Sequence, residues 1–313
     1  MNKEFERICK MSQKELKKYL TKYMESKYNC VTSSDGFIYA EGSFPVLLVA
    51  HMDTVHREPV KDVCYLEKGN TISSPQGIGG DDRCGIYMIL RIIDHFNCHV
   101  LFTEDEEIGC IGASKYVMAI NKFLDVPKVN YIIELDRQGK NDAVFYECDN
   151  PEFEDFILKD KDWKLNYGTY TDIVEIAPEI GVAAVNFSCG YYNAHKTVEY
   201  VVLSEMEENI EKIIRLLDRT TENDKFEYIE TTRYYGGGYG NYSYGKPYSW
   251  YDDGYGMDIY KTYYIAAQGK NNKYIEEEVY AMSEDEAVGQ FLTYNSDLCY
   301  NDICDILCED DCV

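Results

Sequence analysis

Four short apolar runs in this chain end on residues that can bind metals or move protons. The run from Pro45 to Ala50 (PVLLVA) is followed at once by His51, Met52, Asp53, Thr54 and Val55. Alternation along an extended segment places His51 and Asp53 on one side, so one can hold a metal while the other orients the imidazole. The run from Val100 to Phe102 leads through Thr103 into four acids, Glu104, Asp105, Glu106 and Glu107. A solvated turn would account for them, but at a strand end beside His51 they suggest one carboxylate ligand and one general base. The run from Tyr131 to Ile133 leads into Glu134, Leu135 and Asp136, and the run from Val182 to Phe187 is followed by a segment ending in His195. A glycine-rich turn, Gly77 to Gly85 (GIGGDDRCG), opens an apolar helix. It lacks the GK[ST] ending of a phosphate loop. Aspartates at a helix start suit the helix dipole, yet one of this pair bridging two metals is the sharper reading. Each feature alone has a plain structural explanation. Together, two histidines and a set of carboxylates are the ligand chemistry of paired divalent metals.

Such groups can meet only if the fold gathers strand ends. Continuous apolar runs too short for helices suit strands buried on both faces of a sheet. Strands at 37–40, 45–50, 100–102, 131–133 and 182–187 alternate with helical stretches near 84–95, 112–122, 153–159, 172–179 and 204–217. The expected fold is α/β, a mixed, mostly parallel sheet with helices on both faces and ligands at the carboxyl ends of its strands. Ahead of the first strand, Ser12 and Glu15 form a capping box for a helix carrying Leu16, Tyr19, Leu20 and Tyr23 on one face. The turn pair Asp35-Gly36 precedes the first strand.

Composition changes after about residue 220. The stretch 234–256 is Gly/Tyr-rich and aperiodic. We therefore expect a catalytic domain over 1–220, a linker over 221–256 and a small α+β module over 257–313. In the module, two strands joined by the turn GKNN precede a helix capped by Ser283 and Glu286. A last helix is expected to carry Cys304, Cys308 and Cys312 on one face. No histidine joins these cysteines, which favours packing over a metal site.

The net charge of −25 and the lack of a Lys/Arg cluster exclude a phosphate-binding surface, so no nucleic-acid partner is expected. The twelve cysteines are scattered and form no CxxC pair, the pattern of free thiols in a reducing compartment rather than of disulfides or a zinc ribbon. The N-terminus has no apolar signal core, and no apolar stretch reaches the ~20 residues of a membrane span. A cytoplasmic protein with no membrane partner is the expectation.

The order HxDTV (51–55), GxDD (79–82), DEExG (105–109), then Asp136, then His195 resembles the clan of co-catalytic zinc exopeptidases. That clan includes peptidase T, carboxypeptidase G-type enzymes, glutamyl aminopeptidases and bacterial leucyl aminopeptidases. The resemblance covers residues 10–218, including the tail NAHKTVEYVVLSEMEENIEKIIRLL. It implies two divalent ions, zinc first with cobalt or manganese as alternatives. His51 and Asp136 would hold one ion, Glu107 and His195 the other, and Asp81 would bridge. Asp53 would orient His51, and Glu106 would be the general base and acid. The substrate would be a small peptide or amide, most like that of an aminopeptidase, with an acylated amino acid as the alternative. A catalytically silent binding protein is the reading from another class.

The chain departs from several relatives. Only 58 residues separate Asp136 from His195 (137–194), too few for an inserted lid or dimerisation domain. His51 and Asp81 are also too close for an insertion between them. A minimal core is expected, and a monomer is compatible with it, the oligomeric state being left open. The lid histidine of some relatives would be replaced by a tyrosine, Tyr170, Tyr191 or Tyr192. Asp172 is either an acid for a substrate amine or a helix cap.

Overall fold

The structure, a computed structural model, describes residues 3–168, 170–230, 261–268, 274–281 and 303–308, with 287, 288, 291, 292, 295 and 298. The chain divides into two compact units, 1–230 and 231–313.

In chain order the first unit runs α1 (Lys3–Cys9), α2 (Gln13–Lys27), β1 (Val31–Ser34), β2 (Phe37–Ala40), β3 (Phe44–His51), β4 (Cys64–Leu66), β5 (Thr71–Ser73) and α3 (Gly80–Ile92). It continues with β6 (Cys98–Thr103), α4 (Ile111–Ile120), β7 (Tyr131–Arg137), β8 (Asp142–Val144), α5 (Pro151–Leu158), β9 (Lys164–Asn166) and α6 (Asp172–Ile180). Last come β10 (Ala184–Ser188), β11 (Tyr191–Tyr192), β12 (Tyr200–Val202) and α7 (Leu203–Asp218). The expected capping box is present, with Ser12 and Glu15 each accepting from the other's backbone N–H at the start of α2.

Eight strands form one sheet in the order β1-β2-β6-β3-β7-β10-β8-β9. Its centre, β6, β3, β7 and β10, is parallel, while β1, β2 and β8 join antiparallel. The apolar run of β3 serves both faces. Val46, Leu48 and Ala50 pack with α1, α2, α3, α5 and α7, whereas Leu47 and Val49 pack with α4 and α6. Burying such a side chain is worth about 1.5–3 kcal/mol, so neither face of β3 can turn to water. The fold is the expected mixed α/β sheet with helices on both faces.

Between Asp136 and His195 the chain builds β8, α5, β9, α6, β10 and β11 of this first unit, with no separate inserted unit among the described residues. Residues 226–230, placed in the linker by composition, lie on the first unit. Ala183 donates to the Phe226 carbonyl at 2.9 Å and Asp149 to that of Ile229 at 2.7 Å. The Phe226 ring packs among Tyr131, Phe153 and Phe156. The half-buried rings of Phe226 and Tyr228 and these backbone bonds carry the attachment, which a composition window cannot register.

In the first unit Cys9, Cys84, Cys98, Cys110, Cys148 and Cys189 are buried and free, and Cys30 and Cys64 are exposed and free. Among the described residues no helix is long and apolar enough to cross a membrane.

The second unit contains β13 (Lys261–Gln268), β14 (Tyr274–Ala281) and β15 (Ile303–Cys308), with β13 central and both pairings antiparallel. The two expected strands are there. Ala287, Val288, Phe291 and Leu292 are helical, while Ser283, Glu286 and the turn GKNN lie outside the described residues. The expected final helix is instead the strand β15. A spacing of four suits a helix and, being even, a strand as well. An isolated hairpin is marginal in water, and β15 supplies the third strand, bringing Ile303 and Ile306 against the cluster around Ile265 and Phe291. Cys312 and the linker stretch 234–256 lie outside the described residues.

Candidate metal centre

Parallel pairing puts the carboxyl ends of β6, β3, β7 and β10 on one edge of the sheet. His51 ends β3 opposite Thr103, the last residue of β6. Glu106 and Glu107 follow on the loop into α4, and Asp136 lies near the end of β7. Asp81 and His195 arrive by a different route. A small antiparallel sheet, β11-β12-β5-β4, pairs Tyr200–Val202 with Thr71–Ser73. That pairing sets the loop carrying His195 beside the turn that opens α3 with Asp81. Strands of two or three residues leave no periodic signal, which is why the sequence did not disclose this sheet.

The five expected ligands converge. His51 Nε2 is 3.0 Å from Asp81 Oδ1 and 3.4 Å from Asp136 Oδ1. His195 Nε2 is 3.2 Å from Asp81 Oδ2 and 3.1 Å from Glu107 Oε2. Each oxygen of Asp81 therefore faces a different histidine. Ligand atoms of His51, Asp81 and Glu107 lie within 4.8 Å of one another, as do those of His51, Asp82 and Asp136. His195 adopts φ +62, a left-handed conformation costing a non-glycine residue about 1–3 kcal/mol and concentrated at functional sites.

Asp53 lies beneath the histidine. Its Oδ1 is 3.2 Å from His51 Nδ1 and accepts the Glu106 N–H at 3.0 Å, and its Oδ2 accepts the Glu107 N–H at 3.1 Å. One carboxylate thus orients the imidazole and anchors the backbone of both glutamates. Asp82, the second of the aspartate pair, spends both oxygens on backbone, accepting from His51 N at 3.2 Å and Gly85 N at 2.8 Å.

The three candidate tyrosines separate. Tyr191 is buried, with its hydroxyl 3.3 Å from Asp136 Oδ1 and from the Asp136 carbonyl. Tyr192 donates to Glu205 and Tyr170 to Glu175. Only Tyr191 of the three touches an expected ligand, and there it is placed to orient Asp136. Asp172 is buried beside the Cys110 thiol and accepts from the Thr103 hydroxyl, while its Oδ1 has no close hydrogen-bond partner among the described residues. It begins α6, although Thr171 is the cap residue and makes no side-chain cap bond.

Charge is concentrated here. Asp53, Asp81, Asp82, Glu106, Glu107, Glu134, Asp136 and Asp172 act on one another and on His51. Burial pushes Asp136 up to about 7, helped by Asp81, and pushes Asp172 up to about 6 against the Thr103 hydroxyl and His51. Burial and the Asp136 charge lift Glu106 and Glu134 well above the carboxylate range. Burial would also raise Asp81, but the bonds from His195 and His51 hold it far below its ordinary value. Both histidines are desolvated, yet Asp136 beside His51 and Glu107 beside His195 raise them well above a free imidazole.

Eight acids crowd against two imidazoles and the buried Arg83, whose guanidinium is spent on the Met52 and Met11 carbonyls, in a desolvated space where most of the carboxyls are raised by burial and by one another. Glu107 Oε1 is buried without a partner. The donor set of nitrogen and carboxylate oxygen atoms suits zinc, cobalt or manganese. The residues fit a divalent metal pair.

Sequence reasoning passed over Glu199, a fully buried acid that accepts from Gly79 N and Asp81 N. Its signal was an acid inside the His195 tail segment, weak without the contacts. It also passed over the role of Glu134 as a buried neighbour of Asp136.

This sheet, with metal-type side chains at the carboxyl ends of its parallel strands, has the fold of several solved aminopeptidases. Similar solved structures include aminopeptidase PepT from Bacillus cereus, at 14% identity and TM-score 0.53 over 69% of this chain and 96% of that one. A tripeptidase from Staphylococcus aureus matches at 12% identity and TM-score 0.52 over 68% and 95%. A TET aminopeptidase from a marine-sediment thaumarchaeon matches at 14% and 0.54 over 71% and 97%. No protein-family model and no curated protein sequence matches the chain.

Proposed function

We propose that this protein is a two-metal hydrolase of peptide or amide bonds that acts as an aminopeptidase. The observation that carries the reading is Asp81, whose two oxygens face different histidines. His51 and Asp136 would hold one ion, Glu107 and His195 the other, and Asp81 both. When bound, such a pair acidifies water and polarises a scissile carbonyl. Glu106 takes the proton of the attacking water and returns it to the leaving amine. Burial and the Asp136 charge hold the Glu106 carboxyl above the ordinary range, the direction that helps a base return the proton as an acid. Asp53 keeps His51 in its tautomer and anchors the loop of Glu106 and Glu107.

The preference for a free amino terminus rests on Asp172 and Glu134. Each is buried with one carboxylate oxygen lacking a close hydrogen-bond partner among the described residues, and both act on Asp136 or its neighbours. A substrate ammonium would give these oxygens donors and favour their ionised form. The test is metal content together with hydrolysis of aminoacyl amides and their N-acylated counterparts by zinc-, cobalt- and manganese-loaded protein. Two equivalents bound and turnover of the free-amine series are expected. Turnover of only the acylated series would make the protein a deacylase, and a chain binding no metal would overturn the reading.

A further inference from the structure

Glu199 has no exposed surface, and its carboxylate is fully engaged. Oε1 accepts the Asp81 N–H at 2.9 Å and Oε2 accepts the Gly79 N–H at 2.8 Å. His56 Nε2 stands 2.9 Å from the same Oε2. These partners belong to three segments that are remote in sequence and that each carry an expected ligand. His56 lies five residues beyond His51, Gly79 and Asp81 form the turn into α3, and Glu199 lies four residues beyond His195.

The turn is shaped for this contact. Gly79 takes φ +65. A Cβ at Gly80 would come within 2.8 Å of both Tyr191 and Val201 and 3.2 Å of Glu199 Oε1. At Gly77 a Cβ would meet the His56 ring at 2.2 Å. Glycine lets the turn close over His56 on one side and over Glu199 on the other. Asp81 does not choose its own position, because its backbone N–H is held by a carboxylate from another loop. An N–H left unmet in such a buried turn carries the full cost of its desolvation, which is sufficient to move the turn.

We propose that Glu199 is a positioning residue for the metal pair, setting Asp81 between His51 and His195 through the backbone of the Gly79–Asp81 turn, with His56 holding the carboxylate in place. The proposal rests on the two-metal reading. Glu199 touches no substrate and ligates no metal. It binds the turn that presents the bridging carboxylate, so its loss should reach both metals at once, whereas the loss of a residue on one side of the pair would reach one metal more than the other.

The experiment uses the full chain and zinc competition against a chromogenic chelator, with the visible absorption of cobalt-loaded protein and the melting of the metal-free protein as further readouts. The substitutions are Glu199→Gln and His56→Ala. The amide of Glu199→Gln offers one acceptor where two N–H groups need acceptors, so affinity at both sites should fall at least tenfold and the cobalt spectrum should change. His56→Ala leaves the two backbone bonds intact and should weaken both sites by less than the about 10–100-fold typical of residues that directly orient metal ligands. If Glu199→Gln does not fold, the two-site loss in His56→Ala decides. Wild-type affinities in a folded Glu199→Gln with only its metal-free melting lowered would make Glu199 a structural residue and overturn the proposal. So would unchanged affinities in His56→Ala alongside an unfolded Glu199→Gln. A wild-type chain that binds no zinc would overturn the two-metal reading itself and this inference with it, and that failure is visible before any variant is made.

Discussion

Asp53→Asn isolates what a carboxylate beneath the metal ligands contributes. The substitution keeps the shape of the side chain and removes one acceptor. In the native site three donors converge on two oxygens, with His51 Nδ1 and the Glu106 N–H on Oδ1 and the Glu107 N–H on Oδ2. Asparagine can place its single oxygen at one of these positions only. With the oxygen in the Oδ1 place, the amide NH2 confronts the Glu107 N–H, donor against donor. With the oxygen in the Oδ2 place, it confronts His51 and Glu106. In either case at least one buried donor is unmet, which costs about 1–3 kcal/mol. What slips is either the backbone of the Glu106–Glu107 loop or the His51 imidazole, and each carries an expected ligand. At about 1.4 kcal/mol per factor of ten, the loss corresponds to about 5- to 150-fold in metal affinity, overlapping the 10–100-fold typical of residues that orient metal ligands. The assay is chelator competition with zinc on the native protein and on Asp53→Asn, with metal-free melting as the control for folding. A folded variant with native affinity would refute the claim that Asp53 organises the ligands, and with it the placement of the metal pair above this carboxylate.

Three further outcomes follow from the same geometry. Glu106→Gln should retain both metals and the fold while turnover falls about 10²–10⁴-fold, the usual worth of a general acid–base group. Glu107→Gln should instead lose metal together with activity, and elemental analysis with amide hydrolysis on both variants separates the roles. Gly85→Ala should be among the most damaging single-methyl changes, because its Cβ would sit 1.8 Å from the Leu135 carbonyl and 2.6 Å from both Asp82 carboxylate oxygens. A loss of at least about 3 kcal/mol is expected, the upper part of the overpacking range, or roughly 6–12 °C in melting temperature; near-native melting would show that α3 and β7 have room to separate. A fragment ending at residue 230 should keep the first unit folded, whereas one ending at 220 should lose the half-buried Phe226 and be less stable, the ring alone contributing less than the about 3–5 kcal/mol of a fully buried phenylalanine. Equal melting of the two fragments would mean that residues 221–230 contribute nothing.

The strands that carry the site, and the types of residue at their ends, can be read from the order of the amino acids alone. Runs such as PVLLVA are too short for a helix and too apolar for an exposed strand, so β3, β6, β7 and β10 were legible, and His51, Glu106, Glu107 and Asp136 were legible as the residues that follow or end them. The glycine turn before α3 marked Asp81 and Asp82 without separating them. Tertiary structure decided the rest, because it depends on which distant backbone groups a side chain meets. Asp82 is spent on the N–H groups of His51 and Gly85, which leaves Asp81 to face the histidines. Short strands β5 and β12 pair across about 130 residues of chain, and this pairing sets His195 beside Asp81. Glu199 read as one acid among many in an acidic tail, since nothing in its neighbours announces a buried carboxylate. The spacing of Cys304 and Cys308 fits both a helix and a strand, and only the need of β13 for a second partner made it a strand. Periodicity records which face of an element is buried; it carries no record of hydrogen bonds between loops, and the centre of this site is held by such bonds.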